Sequence, residues 1–190
     1  YRTGSNSPVV KSLVRAAQAG KDVTCVVELR ARFDEAANID LATRLQEVGA
    51  KVVYGIVGYK THSKMLMVVR REGSKLRRYC HIGTGNYHAG TARVYTDIGL
   101  LTADERIGED MQNLFLQLTG TGEKARLKKL LASPFSLRKT LIRLIDAEAE
   151  SAKRGEPAHI RIKVNSINEP KVIQALYRAS QAGVKIDMVV

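Results

Sequence analysis

The sequence predicts an α/β fold in which helices flank a mixed sheet, and the beginning of a duplicated second half follows the first half. Two observations predict it. Apolar segments rich in β-branched residues alternate with amphipathic helical patterns along the first 118 residues, which indicates alternating strands and helices. Residues 172–190 also repeat residues 9–27 without a gap at an offset of 163, with nine identities in nineteen positions. This repeat indicates a duplicated helix-then-strand unit, the alternative being two amphipathic helices that converge on alanine-rich sequences.

The first half begins with a helix, a strand, a helix and a strand. Ser7-Pro8 marks a helix start, because serine caps helix N-termini and proline fits the first turn, and Gly20 marks the end. Buried strands are predicted over residues 23–29 and 51–56, with a helix over about residues 39–48 between them. This order implies parallel pairing through a right-handed crossover.

A hairpin, a further strand and a helix complete the predicted first half. The segment after His62 forms a strand, turns at Glu72-Gly73-Ser74 and returns as a second strand towards the turn Gly83-Thr84-Gly85-Asn86. A strand over residues 95–101 and a helix over residues 104–118 follow. The antiparallel hairpin beside the parallel pair makes the predicted sheet a mixed one.

The domain boundary is predicted near the glycine-rich segment of residues 119–122. Beyond it the sequence predicts two charged helices, the first over residues 123–131, and then a new strand near residues 159–164. We therefore assign residues 1–131 to a first domain and residues 132–190 to the truncated beginning of a second.

The charge balance predicts a polyanionic partner. Lys and Arg number 31 against 19 Asp and Glu, a net charge of +12, and such a field attracts polyanions, unless the basic residues are merely solvated helix faces. Nucleic acid is the usual partner of a basic protein. Three Phe and no Trp, however, supply few platforms on which bases stack. We therefore expect a polyanion that is recognised by charge alone.

The positions of the two cysteines and the lengths of the apolar runs predict a reduced, cytoplasmic protein. Cys25 and Cys80 lie in interior-looking strands without C-x-x-C spacing, which is typical of reduced core cysteines. The sequence shows neither a membrane span nor a signal peptide, and membrane association of the full-length protein is left open. Because Tyr1 is no natural start and Val190 ends inside an apolar strand, we expect the chain to be part of a longer protein.

The segment His62-Ser63-Lys64 is the candidate chemical centre. Residues two apart on a strand project from the same face, so an imidazole nucleophile lies beside a cation that can hold a phosphoryl oxygen. The paired strand is expected to bring the Asn86 amide and the backbone N–H groups of the glycine-rich turn close to His62. We therefore predict His62, Lys64 and Asn86 as catalytic residues of phosphoryl transfer, the alternative being surface residues of a strand.

The chain resembles the catalytic half of bacterial polyphosphate kinases of the first family, which are built on the phospholipase D fold. The matching stretches are residues 1–2, 27–35, 58–70, 81–87 and 91–97. The wider phospholipase D pattern is H-x-K, an aspartate five residues after the lysine, and G-S-x-N. Here Val69 replaces that aspartate and Thr84 replaces the serine. Both departures argue against a generic phosphodiesterase and fit the kinase branch.

The resemblance implies roles for the matching residues. In the family, the histidine that matches His62 is autophosphorylated. Arg2 and Arg32 match two arginines at the family's magnesium and phosphate site, and guanidinium groups suit phosphate oxygens. Tyr95 matches a tyrosine that contacts the nucleotide. The family also uses a second histidine and an arginine from the later half, together with a nucleotide contact from an N-terminal domain. None of these can be assigned here, so we expect the isolated fragment to be inactive.

The resemblance also implies the reaction, which is reversible transfer of the γ-phosphate of ATP to inorganic polyphosphate through a phosphohistidine. The implied substrates are ATP or ADP and polyphosphate, with Mg²⁺ carried by the nucleotide as cofactor and no nucleic acid as partner. In the full-length protein we expect a homo-oligomer and contacts with the missing domains of the same chain. Two other interpretations stay open at this point: a phospholipase D-type phosphodiesterase or nuclease, and a polyanion-binding module without catalysis.

Overall fold

The computed structural model describes residues 1–4, 7–29, 31, 35–56, 58–120, 122 and 126–190. The chain divides into two compact units, Tyr1–Leu130 and Leu131–Val190. In this described part, the structure contains no helix with the length and apolar character that crossing a bilayer requires.

The first unit begins with the predicted helix, strand, helix and strand. Helix α1 (Pro8–Gln18) is capped by the hydroxyl oxygen of Ser7, and β1 (Thr24–Val26) pairs in parallel with β2 (Lys51–Val53). Helix α2 (Glu35–Glu47) connects the two strands. It begins four residues before the predicted start, because glutamate and alanine are strong helix formers that extend the helix ahead of its apolar stripe. Both strands are shorter than predicted.

The apolar faces of these four elements form one core. Its buried members come from both helices and from the residues that border the strands: Val10, Val23, Leu41, Leu45 and Ala50. The spacing of the two leucines on α2 is one helical turn, which places both on the buried face. This core fixes the C-terminal end of β1, from which part of the candidate site is built.

A three-stranded antiparallel sheet follows in the order β3-β4-β5. The hairpin of β3 (Lys64–Glu72) and β4 (Lys75–Gly83) is confirmed, and Gly73 takes a positive φ of 61° in its tight turn. Strand β5 is Gly99–Thr102, shorter than predicted. The predicted strand residues 95–98 are irregular, and a short helix, α3 (Ala89–Val94), precedes them.

The single mixed sheet predicted for this unit is not observed among the described residues. Strands β1 and β2 form one sheet and strands β3 to β5 form another. A cavity of about 180 Å³ is lined by residues of β1 and by residues of β3. Backbone ladders need strands about 4.8 Å apart, and no ladder joins β1 to β3 among the described residues.

Helix α4 (Glu105–Leu118) forms as predicted, with Asp104 as its N-cap, but the helix predicted next to it does not. Residues 123–125 lie outside the described residues, and residues 126–131 are irregular. The backbone N–H groups of residues 128–130 all donate to the carboxylate of Asp110, at 2.6 to 2.9 Å. Three consecutive N–H groups that converge on one side chain are incompatible with helical hydrogen bonding, so the buried carboxylate overrides the helical pattern.

The second unit is a helix, a strand, a helix and a strand. Helices α5 (Leu137–Lys153) and α6 (Pro170–Gln181) pack on the parallel pair β6 (His159–Lys163) and β7 (Lys185–Val189). Ala175 and Ala179, one turn apart on α6, are fully buried in its core. Small residues at these positions let the helix approach its neighbours closely.

The sequence repeat is visible in the helix ends. Both copies form a helix followed by a strand, and each helix ends at a glycine with positive φ, 75° at Gly20 and 97° at Gly183. The N–H of Lys21 donates to the carbonyl of Ala16 at 3.0 Å, and 163 positions later the N–H of Val184 donates to the carbonyl of Ala179 at 3.1 Å. The strand partners differ, since β1 pairs with the strand that follows it and β7 with the strand that precedes it.

Candidate active site

His62 and Lys64 are neighbours in the structure, although His62 is not on a strand. Strand β3 begins at Lys64, because the register with β4 starts at the pair Lys64 and Gly83. His62 lies in the irregular segment before it. The Nζ atom of Lys64 nevertheless lies 3.1 Å from Nδ1 and 3.5 Å from Nε2 of His62. The predicted side-by-side arrangement therefore exists, but the strand does not produce it.

The two side chains differ in exposure. Lys64 is 7% exposed, whereas His62 is exposed. The ring of Tyr1 packs edge to face against the imidazole, with centroids 4.6 Å apart, and the Lys64 ammonium lies 5.7 Å from the centre of the Tyr1 ring. An accessible imidazole beside a buried cation suits attack on an incoming phosphate.

The surroundings keep His62 neutral. Burial and then the positive charges of nearby side chains, Lys64, Arg2 and Lys60, lower its pKa. The pKa of Lys64 is lowered as well, by burial first and also by Arg2, while Asp97 acts against these effects. Since only the neutral imidazole has a lone pair, the lowered pKa of His62 favours the nucleophilic form at neutral pH.

The glycine-rich turn reaches the same region through the β3–β4 register. Asn86 and Lys64 both line the cavity of about 180 Å³ between the two sheets. The Oδ1 atom of Asn86 is buried there and has no hydrogen-bond partner among the described residues, and unsatisfied buried polar atoms are rare in folded proteins. An amide in this position suits a ligand that offers a hydrogen-bond donor, or a water that bridges to a ligand.

Hydrogen bonds on two sides fix the glycine-rich turn of residues 83–86. On one side the Thr84 hydroxyl donates to Asp97 at 3.1 Å and accepts from the Ile98 N–H at 3.0 Å. The Asp97 carboxylate packs so closely on Gly85 that a Cβ atom there would collide with it. Thr84 therefore ties the turn to the segment before β5.

On the other side, Nδ1 of His81 lies 2.7 Å from the hydroxyl oxygen of Tyr87. Tyr87 follows Asn86 directly in the sequence. The His81 ring covers both Gly83 and Gly99, which are partners in the β4–β5 register, and a Cβ atom at Gly99 would lie 2.8 Å from its Nε2. The turn is therefore clamped at both ends, which limits the positions open to the Asn86 amide.

Sequence reasoning missed two buried polar residues, Glu28 and Asn38. Glu28 is 6% exposed and its carboxylate accepts from the backbone N–H of Thr61 at 2.7 Å. Asn38 is 2% exposed and its amide nitrogen donates to the carbonyl oxygens of Tyr1 and Glu28, each at 2.8 Å. A signal was available, because Glu28 interrupts an apolar run and Asn38 lies three residues before Leu41 on the apolar stripe of α2.

Comparison with known proteins identifies the family. Residues 1–124 match the family described as polyphosphate kinase C-terminal domain 1, and residues 130–190 match polyphosphate kinase C-terminal domain 2. The chain belongs to the polyphosphate kinase family. Over all 190 residues it is 60% identical to polyphosphate kinases of Pseudomonas aeruginosa and Xylella fastidiosa, and 58% identical to that of Neisseria meningitidis serogroup C.

The family relatives are longer than this chain, which spans 27 to 28% of those three proteins. A solved structure, that of polyphosphate kinase from Porphyromonas gingivalis, superposes on 99% of the chain with a TM-score of 0.83 and 38% sequence identity. The chain covers 31% of that protein. The arrangement of helices and small sheets is therefore that of a polyphosphate kinase segment.

The remaining predicted site residues, Arg2, Arg32 and Tyr95, do not all lie at the cavity. Arg2 lines the cavity with Lys64 and Asn86. Arg32 lies outside the described residues. Tyr95 ends helix α3, is 51% exposed and is not among the residues that line the cavity. The structure thus brings Arg2 to the candidate centre but leaves Tyr95 on the surface.

The basic residues of the kinase segment fit a metal-bound phosphate better than a bare metal ion. In the described part, no group of three or more His, Cys, Asp or Glu side chains could hold a metal. A guanidinium group has no lone pair to offer a metal, but it binds phosphate oxygens well. Arg2 and Lys64 therefore suit the oxygens of a phosphate chain that itself carries Mg²⁺.

Proposed function

We propose that the protein to which this chain belongs is a polyphosphate kinase that transfers the γ-phosphate of ATP to inorganic polyphosphate, reversibly, through a phosphohistidine at His62. One observation carries the proposal: the buried Lys64 ammonium lies 3.1 Å from Nδ1 of an exposed histidine. The membership of the whole chain in the polyphosphate kinase family supports it.

The proposed reaction has two steps. The lone pair of the neutral His62 ring attacks the γ-phosphorus, an N–P bond forms, and the bond from phosphorus to the bridging oxygen breaks so that ADP leaves with the electron pair. A terminal oxygen of polyphosphate then attacks the same phosphorus, the N–P bond breaks, and His62 returns to its neutral form. The phosphoramidate is high in transfer potential, so the sequence of steps also runs towards ATP.

The residues around His62 act by charge and position. In the free protein the His62 lone pair faces the Lys64 ammonium. Phosphate oxygens that bind this ammonium replace the imidazole as its partner, which frees the lone pair for attack. The same ammonium then neutralises charge on the transferred group. The Asn86 amide nitrogen donates to a phosphoryl oxygen or orients the ring.

The remaining assignments belong to the same proposal. Mg²⁺ bound to ATP supplies further charge neutralisation of the phosphate oxygens, and Arg2 and Arg32 hold those oxygens. Tyr95 contacts the nucleotide. Residues 1–131 form a first phospholipase D-like domain and residues 132–190 begin a second, which the repeated helix-and-strand unit supports.

The substrates and partners follow from the proposed reaction. They are ATP or ADP and inorganic polyphosphate, without nucleic acid. The full-length protein is a cytoplasmic homo-oligomer, and its other domains complete the site.

Labelling of the full-length protein with γ-labelled ATP tests the proposal. We expect an acid-labile, alkali-stable label that is absent from His62→Ala and present in the control His159→Ala, because His159 pairs with Asp187 in the second unit. A label that survives in His62→Ala contradicts the assignment. Cleavage of phosphodiesters without any labelled protein would favour a phosphodiesterase, and binding of polyphosphate without either reaction would favour a binding module.

A further inference from the structure

His62 depends on other segments for its position. It lies between β2 and β3, where the described residues, 54–56 and 58–63, form no helix or strand and the chain bends at Gly55 and Gly58, with φ of 59° and 85°. Neither a helix nor a ladder therefore fixes its backbone. A nucleophile must nonetheless stand in line with its target, and a misplacement of 1 Å can cost about 100-fold in rate.

Glu28 supplies one fixed point. Its Oε2 atom accepts the backbone N–H of Thr61, the residue before His62, at 2.7 Å. Glu28 is 6% exposed and directly follows the core residue Val27. The loop is also packed against this contact, since a Cβ atom at Gly55 would lie 3.0 Å from the Thr61 hydroxyl and 3.7 Å from Oε2 of Glu28.

Asn38 supplies the second fixed point. From the buried face of α2, its amide nitrogen donates to the carbonyl oxygens of Tyr1 and Glu28, each at 2.8 Å. The Tyr1 ring packs on the His62 imidazole. One buried amide therefore holds both the segment that supplies the ring contact and the segment that supplies the carboxylate.

We propose that Glu28 is a positioning residue of the phosphoryl transfer, which holds His62 through the Thr61 N–H, and that Asn38 supports it by tying the Tyr1 and Glu28 segments together. The proposal rests on the proposed function for its kinetic consequence only. Burial of a carboxylate is unfavourable unless it is well hydrogen-bonded, so an apolar residue at position 28 is the more stable choice if packing is the whole role.

Substitutions that separate acceptor geometry from charge test this role in the full-length protein. Glu28→Gln keeps an oxygen at the same reach, Glu28→Asp withdraws it by one methylene, and Glu28→Ala removes it. We expect Glu28→Ala and Glu28→Asp to lower the single-turnover rate of His62 phosphorylation about 10- to 100-fold, with the KM for ATP unchanged. Glu28→Gln is expected to stay close to the wild-type rate.

A second measurement does not depend on ATP. Acylation of His62 by diethyl pyrocarbonate, followed by mass spectrometry as a function of pH, reports the pKa of this imidazole. The charged side chains that face it, Lys64, Arg2 and Lys60, are all positive. A ring that leaves this position loses the influence of these charges. In Glu28→Ala and Glu28→Asp, the pH midpoint of His62 acylation is therefore expected to rise. The matched control Glu47→Ala, at the exposed end of α2, is expected to match wild type.

The outcomes are distinct. An unchanged midpoint and an unchanged phosphorylation rate in Glu28→Asp overturn the proposal, and Glu28→Asp keeps the buried charge should Glu28→Ala fail to fold. A Glu28→Gln variant as slow as Glu28→Ala also overturns it, because charge rather than position is then what matters. A raised midpoint in a protein that never forms phosphohistidine supports the positioning role and overturns the proposed function instead.

Discussion

At the scale of single residues, the candidate chemistry depends on a histidine whose charged neighbours are all basic. Burial and three positively charged side chains lower the pKa of His62. A surface histidine with an acidic neighbour has the opposite tendency and is more often protonated near pH 6. The basic surroundings therefore have two effects: they favour the neutral, nucleophilic form of His62, and they attract an anionic substrate.

Replacement of Lys64 tests this electrostatic effect. Lys64→Met removes the largest single charge effect on His62, so the pKa of the imidazole rises. Because only the neutral ring attacks, the acid limb of the pH profile for His62 phosphorylation is expected to move to higher pH. The maximal rate is also expected to fall, because the transition state loses about 2 to 4 kcal/mol of stabilisation, the scale of one preorganised contact.

Lys60→Met is the matched control for this change. Lys60 makes the smallest contribution among the groups that lower the pKa of His62, so its loss is expected to shift the acid limb less than loss of Lys64. Equal shifts in both variants would show that the 3.1 Å contact with Lys64 has no special influence on the nucleophile.

Cys25 gives a test on the other side of the cavity. Burial raises the pKa of its thiol to about 11. Since the thiolate is the reactive form, alkylation of Cys25 by iodoacetamide at pH 8 is expected to be on the order of 100-fold slower than that of free cysteine. The rate is expected to rise steeply with pH, and peptide mapping measures it. Fast alkylation at pH 8 in the folded protein contradicts the raised pKa of this thiol.

At the scale of elements, Asp110 decides the conformation of the segment after α4. The residue is fully buried. Burial pushes the pKa of its carboxyl up, but the N–H groups of Leu130, Lys128 and Lys129 outweigh burial and lower the pKa overall. The negative charge thus replaces the helical hydrogen bonds that the sequence pattern of this segment predicts.

Asp110→Ala is expected to destabilise the protein by about 3 kcal/mol or more, because three backbone N–H groups lose the buried, charged acceptor that they share. The carboxyl pKa is lower in the folded state, so this stabilisation is complete above the unfolded pKa of about 3.9 and is lost as the pH falls through the folded pKa. Denaturant unfolding of wild type and variant at neutral and acidic pH measures both effects.

The N-cap of the same helix provides the comparison for Asp110. Asp104 accepts the N–H groups of Arg106 and Ile107, and loss of an N-cap costs about 1 kcal/mol. A smaller loss for Asp110→Ala than for Asp104→Ala would show that the segment of residues 128–130 does not depend on the buried carboxylate.

At the scale of the whole molecule, the described residues contain two parallel strand pairs, β1–β2 and β6–β7. Within this part of the chain, each of these strands is paired on one edge only. In the second unit the N–H of Lys185 donates to Ala158, and the N–H of Val164 donates to Val189. Parallel ladders alternate, so the N–H groups of Lys185, Asp187 and Val189 face β6, and those of Ile186 and Met188 face away.

Hydrogen exchange on this 190-residue chain is expected to show that alternation. The amides of Asp187 and Val189 should exchange slowly and that of Met188 quickly, because an unpaired strand edge leaves its N–H groups to water. Slow exchange at both Val189 and Met188 in a demonstrated monomer contradicts a two-stranded sheet. Slow exchange at both in a dimer indicates pairing of this edge with a second molecule.

Much of the secondary structure could be predicted because it depends on local signals. Helix α1 follows from Ser7-Pro8 and Gly20, α4 from Asp104 and its apolar stripe, and the β3–β4 hairpin from Gly73. His62 and Lys64 could be paired because they are two positions apart in the sequence. Their catalytic roles, like that of Asn86, stay predictions.

By itself, the sequence determined helices α1 and α4, the hairpin, the repeated helix-and-strand unit and the family motifs, since periodicity, capping and residue type act over a few positions. Only the tertiary structure decided where the strands end, that β1 and β3 are separated by a cavity, and which buried groups hold His62. These features depend on contacts between segments far apart in the chain. A ladder forms only where another backbone lies about 4.8 Å away, and no local pattern specifies that a carboxylate at position 28 meets an amide at position 61.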